Sequence, residues 1–191
     1  MTKEVNDVRT RQDERRYYNP VQKDACTFLK TSEETEGEYT LMEFEVAPGG
    51  GPRPHYHKTY TESFKVIEGF LEVLVGDQTL FLRAGEKAVV PRNTLHRFHN
   101  ATDQMVTFLG EMRPGQTGFE KTLKVGYGLA RDGFTRSDGT PKNLYHMALL
   151  LEWSEIRVPG FFTIAEPLMR LLAKRARLKG IDRELEARYC R

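Results

Sequence analysis

From about Ala25 to Met112 the chain is cut into nine short segments rich in β-branched and aromatic residues, each broken off by Gly, Pro, Asn or Asp. They read DACTFLKT, GEYTLMEFEV, HYHKT, ESFKVI, FLEVLVG, QTLFLRA, KAVVP, HRFHN and MVTFLGEM. Segments of this length and composition are strands, because branched and aromatic side chains suit a pleated, half-buried surface. A single short strand cannot bury its apolar side, so a series of them must close sheet on sheet, as a sandwich or a barrel. The stretch Val75-Gly76-Asp77-Gln78 between two of them has the composition of a hairpin turn.

Beyond Met112 the pattern changes. Gly, Pro and Ser signals fill residues 113–143, with a short helix expected around Phe119 to Leu129. Leu144, Met147, Ala148 and Leu151 then recur at helical spacing behind Asn143, which suits an N-cap. Pro159-Gly160 ends that helix. A second is expected from about Thr163 to Leu178, with an apolar stripe of Ile164, Leu168, Leu171, Leu172 and Leu178, and a third over Asp182 to Tyr189. The chain is therefore divided into a charged arm over 1–20, a β-domain over 21–113 and a helical extension over 114–191.

Composition narrows the function classes. The 191 residues are 39% hydrophobic and 29% charged, enough for one well-filled core. The longest apolar run, Met147 to Leu151, falls far short of the roughly 20 residues that span a bilayer. A net charge of +2 offers no concentrated positive field for nucleic acid, and the basic residues of the last helices read as a solvated face. The N-terminus shows no apolar leader, and Cys26 and Cys190 have no close-spaced partner, so a cytoplasmic, reducing location is expected.

Chemistry concentrates in His55, His57, Glu62 and His96. On a strand His55 and His57 project to the same side, about 6–7 Å apart along the chain, a spacing that suits two ligands of one ion. Imidazole nitrogen and carboxylate oxygen are donors shared by iron, manganese, nickel and zinc, so the set names a site and leaves the ion open.

The surrounding punctuation is just as regular. Gly49, His55, His57, Glu62 and Gly69 follow the pattern G-x5-H-x-H-x(3,4)-E-x6-G, and Gly85, Pro91, His96 and Asn100 follow G-x5-P-x-G-x2-H-x3-N. Together they resemble the two motifs of the cupin family, with Asn93 where the second motif has its middle glycine. Asn tolerates a left-handed backbone better than other non-glycine residues, so the turn can survive. The resemblance implies a mostly β fold, a jelly-roll barrel, with His55, His57, Glu62 and His96 holding one divalent transition metal ion (Fe, Mn, Ni or Zn). It also implies a homodimer.

Strand parity sorts the neighbours. With His96 turned inward, Phe98 and Asn100 join it while Arg97 and His99 point away, so His99 is not expected to be a ligand. Glu62 brings Phe64 and Val66, and His55 and His57 bring Arg53 if the strand is regular that far back. Met42 and Phe44 lie on the apolar side of the preceding strand. The expected pocket is thus lined by Met42, Phe44, Arg53, Phe64, Val66 and Phe98, suited to a small apolar or aromatic molecule. Among similar cupins dioxygenases are prominent, which implies a metal-dependent oxygenase with Glu62 able to act as a base. The alternatives are a non-enzymatic ligand-binding module whose helices report occupancy to a partner, and a metal-dependent isomerase or decarboxylase.

Overall fold

All nine expected segments form strands in the computed structural model, which describes residues 15–158 and 165–190. They are β2 (Asp24–Lys30), β3 (Thr40–Val46), β4 (Tyr56–His57), β5 (Thr61–Glu68), β6 (Phe70–Val75), β7 (Gln78–Arg83), β8 (Lys87–Val90), β9 (His96–His99) and β10 (Val106–Arg113). Two more were not expected: β1 (Arg16–Asn19), which lies within the expected charged arm, and β11 (Ile156–Arg157) in the helical extension. Residues 1–14 of that arm lie outside the described residues.

Every pairing is antiparallel. One sheet runs β1-β2-β3-β10-β5-β8 and a second runs β7-β6-β9. An isolated bridge between His55 and His96, with reciprocal amide-to-carbonyl bonds of 2.9 and 2.8 Å, joins the second sheet to the short β4-β11 pair. The two layers enclose a barrel core in which Phe44, Phe64, Phe98 and Phe108 form one aromatic cluster, with centroid separations of 4.9–5.8 Å. Such pairs stabilise by about 0.5–1.5 kcal/mol each beyond the area they bury. Gly110, in the middle of β10, gives Phe44 its place: a Cβ there would sit 2.9 Å from the ring. Strict alternation of buried and partly exposed residues along β3 and β10 shows the period of two that defines the inner face.

Among the described residues four helices follow: α1 (Thr117–Arg131), α2 (Leu144–Ser154), α3 (Glu166–Leu178) and α4 (Ile181–Tyr189). Asn143 caps α2, its side chain accepting from the Tyr145 amide. The helices have their own core, built on Val125, Leu129, Ala148, Leu149, Ala173, Ala176, Leu185 and Tyr189. Of the stripe expected on α3, Leu172 packs against this core and the other described members do not. Leu168, Leu171 and Leu178 are exposed, whereas Ala173 and Ala176 are fully buried, because small side chains let α3 come close to α2. Thr163 and Ile164 lie outside the described residues.

The helical layer is fastened to the barrel by α1. Glu120 is buried and accepts two 2.6 Å hydrogen bonds, from the Ser32 amide and from Thr40 Oγ1. Phe119 meets the rings of His57 and Tyr60 edge-on at 6.0 and 6.1 Å, so the first turn of α1 lies directly against the histidine cluster.

Candidate metal centre

His55 and His57 arrive on the short β4 segment, His96 opens β9 and Glu62 stands near the start of β5, so the four donors come from both layers of the barrel. One ligand atom from each lies within 4.8 Å of every other. All four are nearly or fully buried. Gly51, with φ +133°, carries the chain into this segment so close to β9 that a Cβ would come within 2.4 Å of the Phe98 carbonyl. Asn93 takes the left-handed conformation at φ 61°, the role expected of a glycine, and its amide donates to the His57 carbonyl at 2.7 Å.

The outer nitrogens of the rings are fixed from behind. Nδ1 of His55 is 2.7 Å from the Arg53 carbonyl and Nδ1 of His96 is 2.8 Å from the Thr94 carbonyl. A carbonyl only accepts, so both Nδ1 atoms carry the proton and both Nε2 atoms present a lone pair inward when neutral. Tyr60 does the same for His57. Its hydroxyl donates to the Ser154 carbonyl at 3.3 Å and therefore accepts from His57 Nδ1 at 2.5 Å. Backing of this kind sets the tautomer and orientation of metal-binding histidines.

The buried charge is strongly biased. Burial alone would raise the Glu62 carboxyl, but hydrogen bonding from His57 and His96 and their charge outweigh it and hold Glu62 well below the usual carboxylate range. Burial, reinforced by the neighbouring His96 and His57, pushes His55 down to about 3, so it stays neutral. At His96 burial acts downward and is overcome by the Glu62 carboxylate 3.0 Å from Nε2, which raises it. His57 Nε2 is fully buried and has no hydrogen-bond partner of sound geometry, although Glu62 Oε2 lies 3.3 Å away. An orphaned imidazole nitrogen among two further inward nitrogens and a carboxylate is the donor set a divalent transition metal takes. These residues fit such an ion.

A cavity of about 160 Å³ opens beside the cluster. Phe44, Phe64 and Phe98 line it, with His55 and Glu62 at its edge. Met42 and Val66 do not: both are fully buried in the packed core beneath. Arg53 is a second correction. Its side chain is 64% exposed and pairs with Asp138 at 3.4 Å, because the chain between Pro52 and Pro54 is not yet a strand and parity does not reach back to it. It lines instead an outer vestibule of about 230 Å³ that shares Pro52, His55, Thr122, Leu150 and Ile156 with the inner cavity. His99 faces away, its Nδ1 3.0 Å from the Gly50 carbonyl. The walls that parity could not supply are Phe119, Leu123 and Tyr127 of α1, Leu150 of α2 and Ile156 of β11. The one signal for them in the sequence is helical periodicity, which does not say what a helix covers.

Residues 42–110 match the family model for the cupin domain. The chain carries a cupin domain. Among known proteins it is similar to germin-like protein subfamily T member 2 of Arabidopsis thaliana, 39% identical over 92 residues, which are 44% of this chain and 42% of the plant protein. It is also similar to quercetin 2,3-dioxygenase of Bacillus subtilis, 28% identical over 81 residues, 42% of this chain and 24% of that enzyme. The chain thus spans less than half the length of either relative. Among solved structures, an RmlC-like cupin from Shewanella frigidimarina superposes with a TM-score of 0.49 at 18% identity, covering 56% of this chain and 90% of that one.

Proposed function

We propose that this cupin is a metal-dependent oxygenase acting on a small, monocyclic aromatic molecule. The observation that carries the reading is the junction of the two halves of the site: four clustered donors, His55, His57, Glu62 and His96, of which His55 and Glu62 reach the edge of a cavity walled by aromatic side chains. A bound Fe or Mn ion would supply the redox capacity that an oxygenase needs, and Ni or Zn would supply Lewis acidity. The protein's own contribution is to hold and exclude. Phe44, Phe64 and Phe98 pack an aromatic ring, α1 covers the inner end, and Glu62, held ionised by its histidine neighbours, offers a bound ion an anionic donor. About 160 Å³ is close to the engineered cavity volume of about 150 Å³ that takes benzene, and below the roughly 300 Å³ at which drug-sized sites begin. The inner cavity by itself therefore takes one ring, and the vestibule of about 230 Å³ that adjoins it leaves room for that ring's substituents.

The test is elemental analysis of the purified protein followed by O2 uptake against monocyclic phenols, catechols and diketones. Stoichiometric metal with uptake on a monocyclic substrate is expected; no metal above trace, or metal without turnover of any of them, refutes the proposal.

A second reading has its own support, since α1 and α2 form part of the cavity wall. In that reading the chain binds a small ligand without altering it and the helices report occupancy. It predicts slower amide exchange in α1 on ligand addition and ligand recovered unchanged. We further propose that the barrel of 21–113 and the extension of 114–191 act as one unit, in the cytoplasm, as a homodimer. Ile67, Phe70, Phe81 and Val89, exposed on the barrel, are apolar surface available to a second copy, and light scattering after gel filtration gives the mass.

A further inference from the structure

Among the polar groups that line the cavity, one is tied to a buried acid on the far side of the wall. Tyr127 of α1 lines the cavity, and its hydroxyl donates a 2.7 Å hydrogen bond to Asp24 Oδ2 on β2. Asp24 pairs in register with Asn19 of β1, which also lines the cavity, so the hydroxyl sits where strand pair and helix meet. Asp24 is 1% exposed, and its second oxygen, Oδ1, is buried without a hydrogen-bond partner. Nothing in the fold requires an acid there: a phenylalanine packed on an apolar strand residue would fasten α1 without burying a carboxyl, which is expensive unless it is paired.

We infer that Tyr127, backed by Asp24, selects hydroxyl-bearing aromatic ligands in this cavity. The hydroxyl of Tyr127 has a single proton and that proton is committed to Asp24, so toward the cavity its oxygen can only accept. A ligand O–H satisfies that oxygen. A methyl group of the same size leaves its lone pairs without a donor, and sites built around a hydrogen-bonded hydroxyl discriminate against the analogue that lacks one. Burial, together with the Asp24 charge, keeps the Tyr127 phenol protonated far above its ordinary range, so it remains the donor in the pair. Asp24 itself is pushed up to about 7, chiefly by burial, with the Tyr127 bond and its own amide acting the other way. Its carboxylate form is thus the one present on the alkaline side of neutrality. The inference rests on the reading of the cavity as an aromatic-ligand site.

Phenol and toluene, nearly equal in shape, test it by amide chemical-shift titration of the full chain, kept anaerobic at about pH 8 so that Asp24 is ionised and phenol is not consumed. Tyr127→Phe is expected to weaken phenol about tenfold and leave toluene within twofold. Asp24→Asn keeps the shape of the corner but exchanges an acceptor-only carboxylate for an amide that can also donate to the Tyr127 oxygen, so the hydroxyl proton is no longer fixed on residue 24; it provides the reading even if Tyr127→Phe fails to fold, and it is expected to weaken phenol several-fold with toluene again unchanged. Phenol affinity that survives both substitutions, or equal weakening of both ligands, overturns the inference and leaves the aromatic cavity standing. Saturable binding of neither ligand to the wild-type protein overturns both.

Discussion

At the scale of single residues, Tyr60 links the barrel to the ligand cluster through one hydroxyl that receives from His57 Nδ1 and gives to the Ser154 carbonyl. Tyr60→Phe frees His57 to take the wrong tautomer and is expected to lower metal affinity by about tenfold without unfolding the protein, measured by chelator competition. His57→Ala removes a ligand outright and should bring metal content to trace in elemental analysis. Asp24 carries a separate, pH-dependent signature. Burial lifts its folded-state value from 3.8 to about 7, so between those values the folded protein holds a proton that the unfolded chain has lost. Its contribution to stability is therefore full below the unfolded value and declines as pH rises through about 7, by an amount on the order of 4 kcal/mol. Asp24→Asn should flatten that slope relative to wild type in urea titrations between about pH 4 and pH 8, and a slope unchanged by the substitution would contradict it.

Among the elements, α1 is the one on which the site depends. Its Glu120 carboxylate is the acceptor for both the Ser32 amide and the Thr40 hydroxyl, and Glu120→Ala would leave these buried donors without a partner. The expected loss is about 2–4 kcal/mol, read from the urea midpoint, with faster amide exchange concentrated in α1. Gly118 lies so close to α2 that a Cβ would stand 2.2 Å from the Trp153 carbonyl oxygen, which is backbone and cannot swing aside. Gly118→Ala should cost about 1–3 kcal/mol for that reason. The helices themselves were legible from their periodicity and from the Asn143 cap. The buried side of α3 was not: Leu168 and Leu171 are the stronger apolar signal, yet Ala173 and Ala176 are what the neighbouring helix can approach.

For the molecule as a whole, the barrel core and the helical core meet along α1, whose Phe119 and Tyr127 belong to the former and whose Val125 and Leu129 belong to the latter. A chain ending at Arg113 would uncover Phe44, Phe64 and Phe98 on the cavity side. It should bind a hydrophobic dye and lose saturable phenol binding, while retention of the native phenol affinity would show that the helices are dispensable. The local pattern alone determined the β-rich class, the hairpin at Gly76-Asp77, the left-handed Asn93 and the inward set of His96, Phe98 and Asn100. Each of these depends on alternation along one strand or on the backbone preference of one residue, and such preferences act within a few residues of sequence. Tertiary structure decided the rest. Tyr127 reaches Asp24 across 103 positions of sequence and β11 pairs with the ligand-bearing β4 from the far side of two helices, while Arg53 turns to Asp138 instead of the ion. Contacts of that kind follow from how helices dock on a closed sheet, which no periodicity encodes.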